Sequence, residues 1–436
     1  MNKLVKKLML VAAMLMLAAG PSFAADAIRI GLMCPLTGKW ASEGQDMQQI
    51  VSLLVSEVNK AGGINGKQIE LIVEDDAGDP RTASLAAQKL ASAGVMAVIG
   101  TYGSAVTEAS QNIIDEAEIM QIATGSTSVR LTEKGLPLFF RTCPRDDEQG
   151  RVASKVIAAK GFKKVAILHD NSSYAKGLAE EAQKGLKDAG VPVVFYDALT
   201  PSDYTAILTK LKAADPDLIF FTGYYPEAGM LLRQKKEMHW DVPMMGGDAA
   251  NNTDLVKIAG KDAAKGYFFI SPPSAHDFDT PEAKDFFSRY KAQYNSLPSS
   301  VWSVLAGDAF KVIVAALQAG TDANPEAVAK YLKKDLKEYP GLTGKLGFNE
   351  KGDRIGDLYK VYEVDGNGGF RSKVFGSRED AFREPQKFRL LFLGTVTGFP
   401  GRRASVSGAS DTAGRGQKVP GSGVPLPSAS ILYQTS

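Results

Sequence analysis

The stretch VMAVIGTYGSAVTEASQNIIDEAEIMQIATGSTS (95–128) holds two β-rich apolar runs, VMAVIG and IMQIA, with a segment at helical spacing between them. A strand, a helix and a second strand make a crossover rather than a hairpin, so the two strands run parallel. Parallel strands bury both faces, which requires helices on either side of the sheet. Each strand leads into a short loop of small and hydroxyl residues, TYGS (101–104) and TGSTS (124–128). In sheets of this kind ligands gather at the carboxyl ends of the strands, where loops feed helix N-termini.

The same alternation continues in both directions. On the upstream side stand IRIGLMC (28–34) and IELIVED (69–75), with helices near 43–60 and 81–93, and LFFRT (138–142) follows the opening stretch. It then repeats in KVAILHD (164–170), PVVFYDA (192–198), DLIFFTG (217–223), PMMGG (243–247) and GYFFISP (266–272), with helices near 174–189, 203–214, 226–238 and 252–260. The spacing predicts two α/β lobes of similar size, each built on a parallel sheet. Residues 281–336 read as mainly helical, and 341–368 as short strands joined by turns at 350–353 and 365–368.

The ends differ from this body. Residues 1–24 carry Lys3, Lys6 and Lys7, an apolar run from Leu8 to Ala19 and the small-x-small site Ser22-Phe23-Ala24, the pattern of a secretory signal peptide. The apolar run is short against the roughly 20 residues of a membrane-spanning helix, and no cysteine follows it to take a lipid. A soluble periplasmic protein starting near Ala25 is expected. Residues 371–436 contain 7 Arg to 3 Lys, whereas 1–370 contain 9 Arg to 32 Lys. A tail rich in Ser, Gly and Pro with so abrupt a change of usage reads as a disordered basic extension, either a frameshift or read-through product or an ordinary flexible tail.

Over 436 residues, 44% hydrophobic and 23% charged composition excludes collagenous, disordered and multi-span membrane classes. The net charge of +2 conceals a 25–370 body at −7 and a tail at +6, and gives no reason to expect a nucleic-acid partner. Two cysteines, Cys34 and Cys143, cannot make a disulfide scaffold, and His169, His239 and His276 are too scattered to suggest a metal centre. GxSxG, HExxH, CxxC and a GxGxxG at a strand–helix junction are all missing, so neither an enzyme nor a cofactor is expected.

The candidate site therefore rests on strand-end loops. Ser104, read as an N-cap, together with Tyr102 and Gly103, and Gly125 with Thr127 one unit further on, suit a carboxylate held by helix N–H groups and hydroxyls. Each loop taken alone is also an ordinary helix cap. The second half supplies Tyr174 after 164–170, Tyr224 and Tyr225 after 217–223, and Asp248 after 243–247. An acid facing an anion site across a cleft matches a zwitterion, with Asp248 on the ammonium.

Taken together, IRIGLMCPLTG (28–38), INGKQIELIVEDDAGDP (64–80), VIGTYGS (98–104), FRT (140–142) with DDEQG (146–150), VAILHDNSSYAKGLAE (165–180), GYYPEAGMLLRQ (223–234) and MGGDAANN (245–252) resemble the periplasmic branched-chain amino-acid-binding proteins of ABC importers. The resemblance runs collinearly over 28–368. It implies the type I periplasmic binding fold, with two Rossmann-like lobes joined by a three-segment hinge: 25–143 plus 273–348 in lobe 1, 144–272 plus 349–370 in lobe 2. It places Tyr102, Ser104, Gly125 and Thr127 on the ligand carboxylate and part of the amino group, and Tyr174, Tyr224 and Asp248 as residues that close over it. At Glu43, just before Gly44, the family often carries an aromatic residue in the side-chain pocket; here the nearby aromatic is Trp40. Glu43 is thus either a polar element of that pocket or a solvated side chain. The expectation is a monomeric receptor that delivers an amino acid to a membrane-embedded ABC permease. The alternative is the same fold serving as a sensor, or as a receptor for an amide, urea or aromatic acid.

Overall fold

The computed structural model describes residues 27–200, 204–356 and 358–373. The signal segment 1–24 and the tail beyond 373 lie outside the described residues.

The first sheet contains β1 (Ile28–Cys34), β2 (Ile69–Asp75), β3 (Ala97–Ile99), β4 (Met120–Ala123) and β5 (Phe139–Arg141), all parallel, in the order β2-β1-β3-β4-β5. Its two faces follow from the period of two along each strand. Ile30, Leu32 and Ile99 pack with Met47, Ile50 and Leu54 of helix α1 (Ala41–Lys60), while Met33 and Val98 join Ala86, Ala87 and Leu90 of α2 (Pro80–Ser92) and Ile114 of α3 (Ser104–Glu116) on the other face.

After a short helix α4 (Arg130–Glu133) the chain leaves this sheet through 142–145 and enters α5 (Asp146–Ala159). The second sheet then forms from β6 (Val165–His169), β7 (Val193–Ala198), β8 (Leu218–Phe221), β9 (Met244–Gly246) and β10 (Phe268–Ser271), again parallel. Helices α6 (Ser173–Asp188), α7 (Thr205–Ala213), α8 (Tyr225–Glu237), α9 (Asp254–Ala259) and α10 (Lys261–Ala264) connect those strands.

A second passage, 272–280, returns the chain to the first lobe. There α11 (Pro281–Tyr294), α12 (Val301–Gln318), α13 (Pro325–Lys334) and the hairpin β11 (Tyr339–Gly341) and β12 (Gly344–Leu346) pack. Helix α12 is apolar and long enough to cross a membrane, yet 83% of it is buried inside the protein, where it packs on α1. A third passage, 347–359, leads to β13 (Lys360–Val364) and β14 (Phe370–Lys373), which pair antiparallel at the edge of the second sheet. Strand β14 extends to Lys373, three residues past the expected end of the second lobe at 370.

The first and third passages are stitched together by charge. Arg141, at the end of β5 and fully buried, meets Asp353 at 2.7 Å, and Arg145 reaches the other oxygen of Asp353 at 3.0 Å. The Arg141 N–H also donates to the Gly352 carbonyl at 3.0 Å.

Candidate functional site

The loops after β3 and β4 are knitted into one surface. Tyr102 and Gly125 form a parallel bridge, Gly103 N–H donates to the Gly125 carbonyl at 3.0 Å, and Gly125 N–H donates to the Thr101 carbonyl at 3.2 Å. A ladder of hydroxyls runs beneath: Thr101 and Thr107 meet at 2.5 Å, Thr107 donates to Ser126 at 2.6 Å, and Ser128 N–H donates to Ser104 Oγ at 3.2 Å. Below it the Arg141 guanidinium takes the carbonyls of Ser126 and Ser128 at 3.0 and 2.9 Å. The N-cap of α3 is Gly103 at φ +96°, and Ser104 is the first helical residue, not the cap. A glycine suits that backbone, and the shift leaves the Ser104 hydroxyl to receive the neighbouring loop.

Gly125 is a close-approach position. A Cβ there would stand 2.4 Å from Cδ2 of Tyr102. Tyr102 is 1% exposed, and its hydroxyl has no hydrogen-bond partner among the described residues.

Facing these loops, the second lobe presents a connected set of polar groups. Tyr174 donates to Asp248 Oδ1 at 2.9 Å and Tyr359 donates to Asp248 Oδ2 at 2.9 Å, while Asp248 N–H donates to Gln149 Oε1 at 2.9 Å. Gln149 Nε2 donates to Asp146 Oδ1 at 3.1 Å, and the Thr127 hydroxyl and the Arg141 guanidinium lie near the Asp146 carboxyl and favour its charged form. Both acids are buried, and neither forms a salt bridge among the described residues. Burial pushes the Asp248 carboxyl up to about 7, opposed by hydrogen bonds from Tyr359 and Tyr174. Asp146 is raised well above the carboxylate range by burial and then by the nearby Asp248 charge.

Aromatic rings bring the two lobes together. Tyr224, just before α8, stands 4.3 Å from Trp40, 5.1 Å from Tyr174 and 5.8 Å from Tyr102 between ring centroids. Tyr102 in turn lies 6.0 Å from Trp302 of α12. The indole N–H groups of Trp40 and Trp302 are buried and unpartnered.

Glu43, in the first turn of α1, is fully buried rather than solvated. Asn252, from the second lobe, donates to its Oε1 at 2.7 Å, and the Ser300 hydroxyl donates to Oε2. Burial pushes its carboxyl up to about 8, against those two hydrogen bonds. Cys34 and Cys143 are both free and buried.

The expected residues therefore lie along one buried lobe-to-lobe interface: Tyr102, Ser104, Gly125 and Thr127 on one side, Tyr174, Tyr224 and Asp248 on the other, and Glu43 at one end. The sequence reading missed Asp146, Gln149, Asn252, Ser300, Trp302 and Tyr359. DDEQG (146–150) is among the motifs that carry the resemblance, but nothing in its spacing marks its acid or its amide as part of a site.

Residues 27–369 match the sequence profile of the family described as periplasmic binding protein. A leucine-, isoleucine-, valine-, threonine- and alanine-binding protein of Pseudomonas aeruginosa is 38% identical over 349 residues, which cover 79% of this chain and 92% of that protein. Among solved structures, a leucine-binding protein of Thermotoga maritima matches with a TM-score of 0.74 at 26% identity, over 81% of this chain and 100% of the other. The branched-chain amino acid transporter substrate-binding protein of Streptococcus pneumoniae, in complex with isoleucine, matches with a TM-score of 0.73 at 31% identity, over 80% and 99% of the two chains.

Proposed function

This chain belongs to the periplasmic branched-chain amino-acid-binding proteins with the type I periplasmic binding fold, and from that premise we propose that it is the extracytoplasmic receptor of an ABC importer, taking an amino acid into its cleft and presenting it to the permease. The observation that carries the amino-acid reading is the buried pair Asp248 and Asp146, which make no salt bridge among the described residues, set opposite the unpartnered Tyr102 hydroxyl and the N-terminus of α3. An α-ammonium neutralises the acids, and the first-turn N–H groups of α3 with Tyr102 and Thr127 receive the carboxylate. Closing the lobes removes water from these charge-assisted hydrogen bonds, each worth about 1.5–3 kcal/mol net. Three or four of them reach the roughly 8 kcal/mol that micromolar affinity requires.

Residues 1–24 serve in this reading as the export signal, and the exported receptor is monomeric and free of lipid. The test is calorimetric titration with leucine, isoleucine, valine, threonine and alanine, beside Asp248→Ala. Loss of the acid is expected to weaken binding by about 2–5 kcal/mol, the cost of leaving a desolvated partner charge unpaired. Affinity unchanged in Asp248→Ala rejects the zwitterion reading.

The unpartnered indoles of Trp40 and Trp302 beside Tyr102 and Tyr224 favour a second reading, a ligand with a planar or polar side chain such as an aromatic acid or an amide. A thermal-shift screen that sets those compounds beside the twenty amino acids separates the two, because a ligand raises stability in proportion to its occupancy.

A further inference from the structure

Glu43 has both carboxylate oxygens engaged, one from each side of the cleft. Asn252 Nδ2 reaches across from the second lobe to Oε1 at 2.7 Å and also meets Ser42 Oγ at 3.3 Å, while Ser300, the N-cap of α12 in the first lobe, holds Oε2. The backbones meet at the same place: Asn252 and Ser300 form an antiparallel bridge, and Thr253 N–H points to the Ser299 carbonyl at 3.4 Å. Tyr225 OH adds a bond to the Lys39 carbonyl at 3.1 Å, and Lys39 pairs with Glu227 at 2.8 Å. The Glu43–Asn252 bond is the buried member of this seam, whereas the Lys39–Glu227 pair is half exposed on its lysine side.

We propose that the Glu43 carboxyl is a positioning group that fastens the two lobes in the closed receptor through Asn252 and Ser300, setting ligand affinity through closure and not through contact with the ligand. This rests on the receptor reading above for its link to affinity, but the fastening itself does not require that the ligand be an amino acid.

A buried carboxyl with one oxygen covered by the opposite lobe also makes closure sensitive to protons. The groups facing Glu43 favour its neutral form: Asp46 on the same helix and Asp254 at the head of α9 both repel a charge there, and Tyr102 before α3 and Tyr225 heading α8 are themselves neutral phenols. Lys39, the neighbouring cation, is engaged with Glu227. Opening the seam returns Glu43 to water and to an ordinary carboxylate value. Closure therefore takes up a proton, is fully supported below about pH 4.5, and loses that support as pH rises through about 8. Asp248 and Asp146 act in the opposite sense on an ammonium ligand, which prefers them ionised. Comparing variant with wild type at each pH cancels their share.

The experiment uses the full-length secreted protein and the variants Glu43→Gln, Asn252→Ala and Glu43→Ala. Titration with leucine, isoleucine, valine, threonine and alanine is run between pH 6 and pH 8.5. In parallel, the lobe-to-lobe distance is measured with spin labels on Gln88→Cys and Lys187→Cys, both exposed, one in each lobe. Glutamine imitates the protonated acid, so the ratio of Glu43→Gln affinity to wild-type affinity is expected to rise about tenfold or more over that pH range. Asn252→Ala and Glu43→Ala are expected to shift the label distances toward the open form at pH 6. A constant Glu43→Gln ratio across the range, or closed distances retained in Asn252→Ala and Glu43→Ala, overturns the proposal. If wild type binds none of the five amino acids, the amino-acid reading fails by itself and the label distances still judge the fastening.

Discussion

Gly125 shows how much of this site depends on a missing side chain. Its backbone bridges Tyr102, and a Cβ would sit 2.4 Å from the Tyr102 ring, which is itself enclosed by Trp40, Tyr224 and Trp302. The ring has no free direction in which to yield. Gly125→Ala is therefore expected to cost about 1–3 kcal/mol through overpacking, and to raise the dissociation constant by a larger factor than any substitution of equal stability cost made outside the cleft. Urea unfolding gives the first quantity and calorimetry the second. A variant that loses stability yet keeps full affinity would separate Tyr102 from the ligand.

At the scale of elements, the N-terminus of α1 is fixed by backbone rather than by a capping side chain. Trp40 occupies the cap position without a side-chain hydrogen bond, and a Cβ on Gly44 would stand 2.1 Å from the Pro35 carbonyl oxygen. That obstacle is main chain and cannot rotate away. Gly44→Ala should push the first turn of α1 off the β1 loop and carry Trp40 and Glu43 with it, lowering stability by about 1–3 kcal/mol and opening the seam at Asn252. Thermal melts and the lobe-to-lobe label distances check both effects, and an unchanged distance contradicts the coupling. Elements such as β1 and β2 were legible in the sequence to the residue because their strands are strong apolar runs bounded by turns. Helix α5 was not. Its buried face opens with Asp146, Gln149 and Gly150 and turns apolar only at Ala153, Val156 and Ile157, so the apolar period is short, and α6 approaches closely at its polar start, with a Gly150 Cβ only 2.7 Å from Cβ of Glu181. The same limit applies to the site. Tyr174 and Asp248 follow closely on strands and announce themselves by position, whereas Gln149 of α5 and Tyr359 of the third passage reach Asp248 from 99 and 111 positions away. No local pattern encodes that meeting.

For the molecule as a whole, the buried acids set the pH dependence of folding. Glu43 is pushed up to about 8, and Asp248 and Asp76 to about 7, in each case chiefly by burial. In the unfolded chain these groups return to about 4. Between about pH 4 and their raised values the folded protein binds more protons than the unfolded one, so stability falls as pH rises, and the thiols of Cys34 and Cys143, also pushed up by burial, prolong that fall above about 8. His169, held below its usual value by burial, has the opposite slope, but that contribution is complete by about pH 7. The melting temperature of the ligand-free protein is thus expected to decline from pH 7 to pH 8.5. A saturating zwitterionic ligand places its ammonium beside Asp248 and holds that group ionised, which removes its share of the proton uptake. The decline should then be visibly shallower with ligand than without, as read by scanning calorimetry at several pH values in one ionic strength. A slope that ligand leaves unchanged would mean that Asp248 gains no cation on binding, and a melting temperature that rises with pH would mean that these acids are not buried in the folded protein at all.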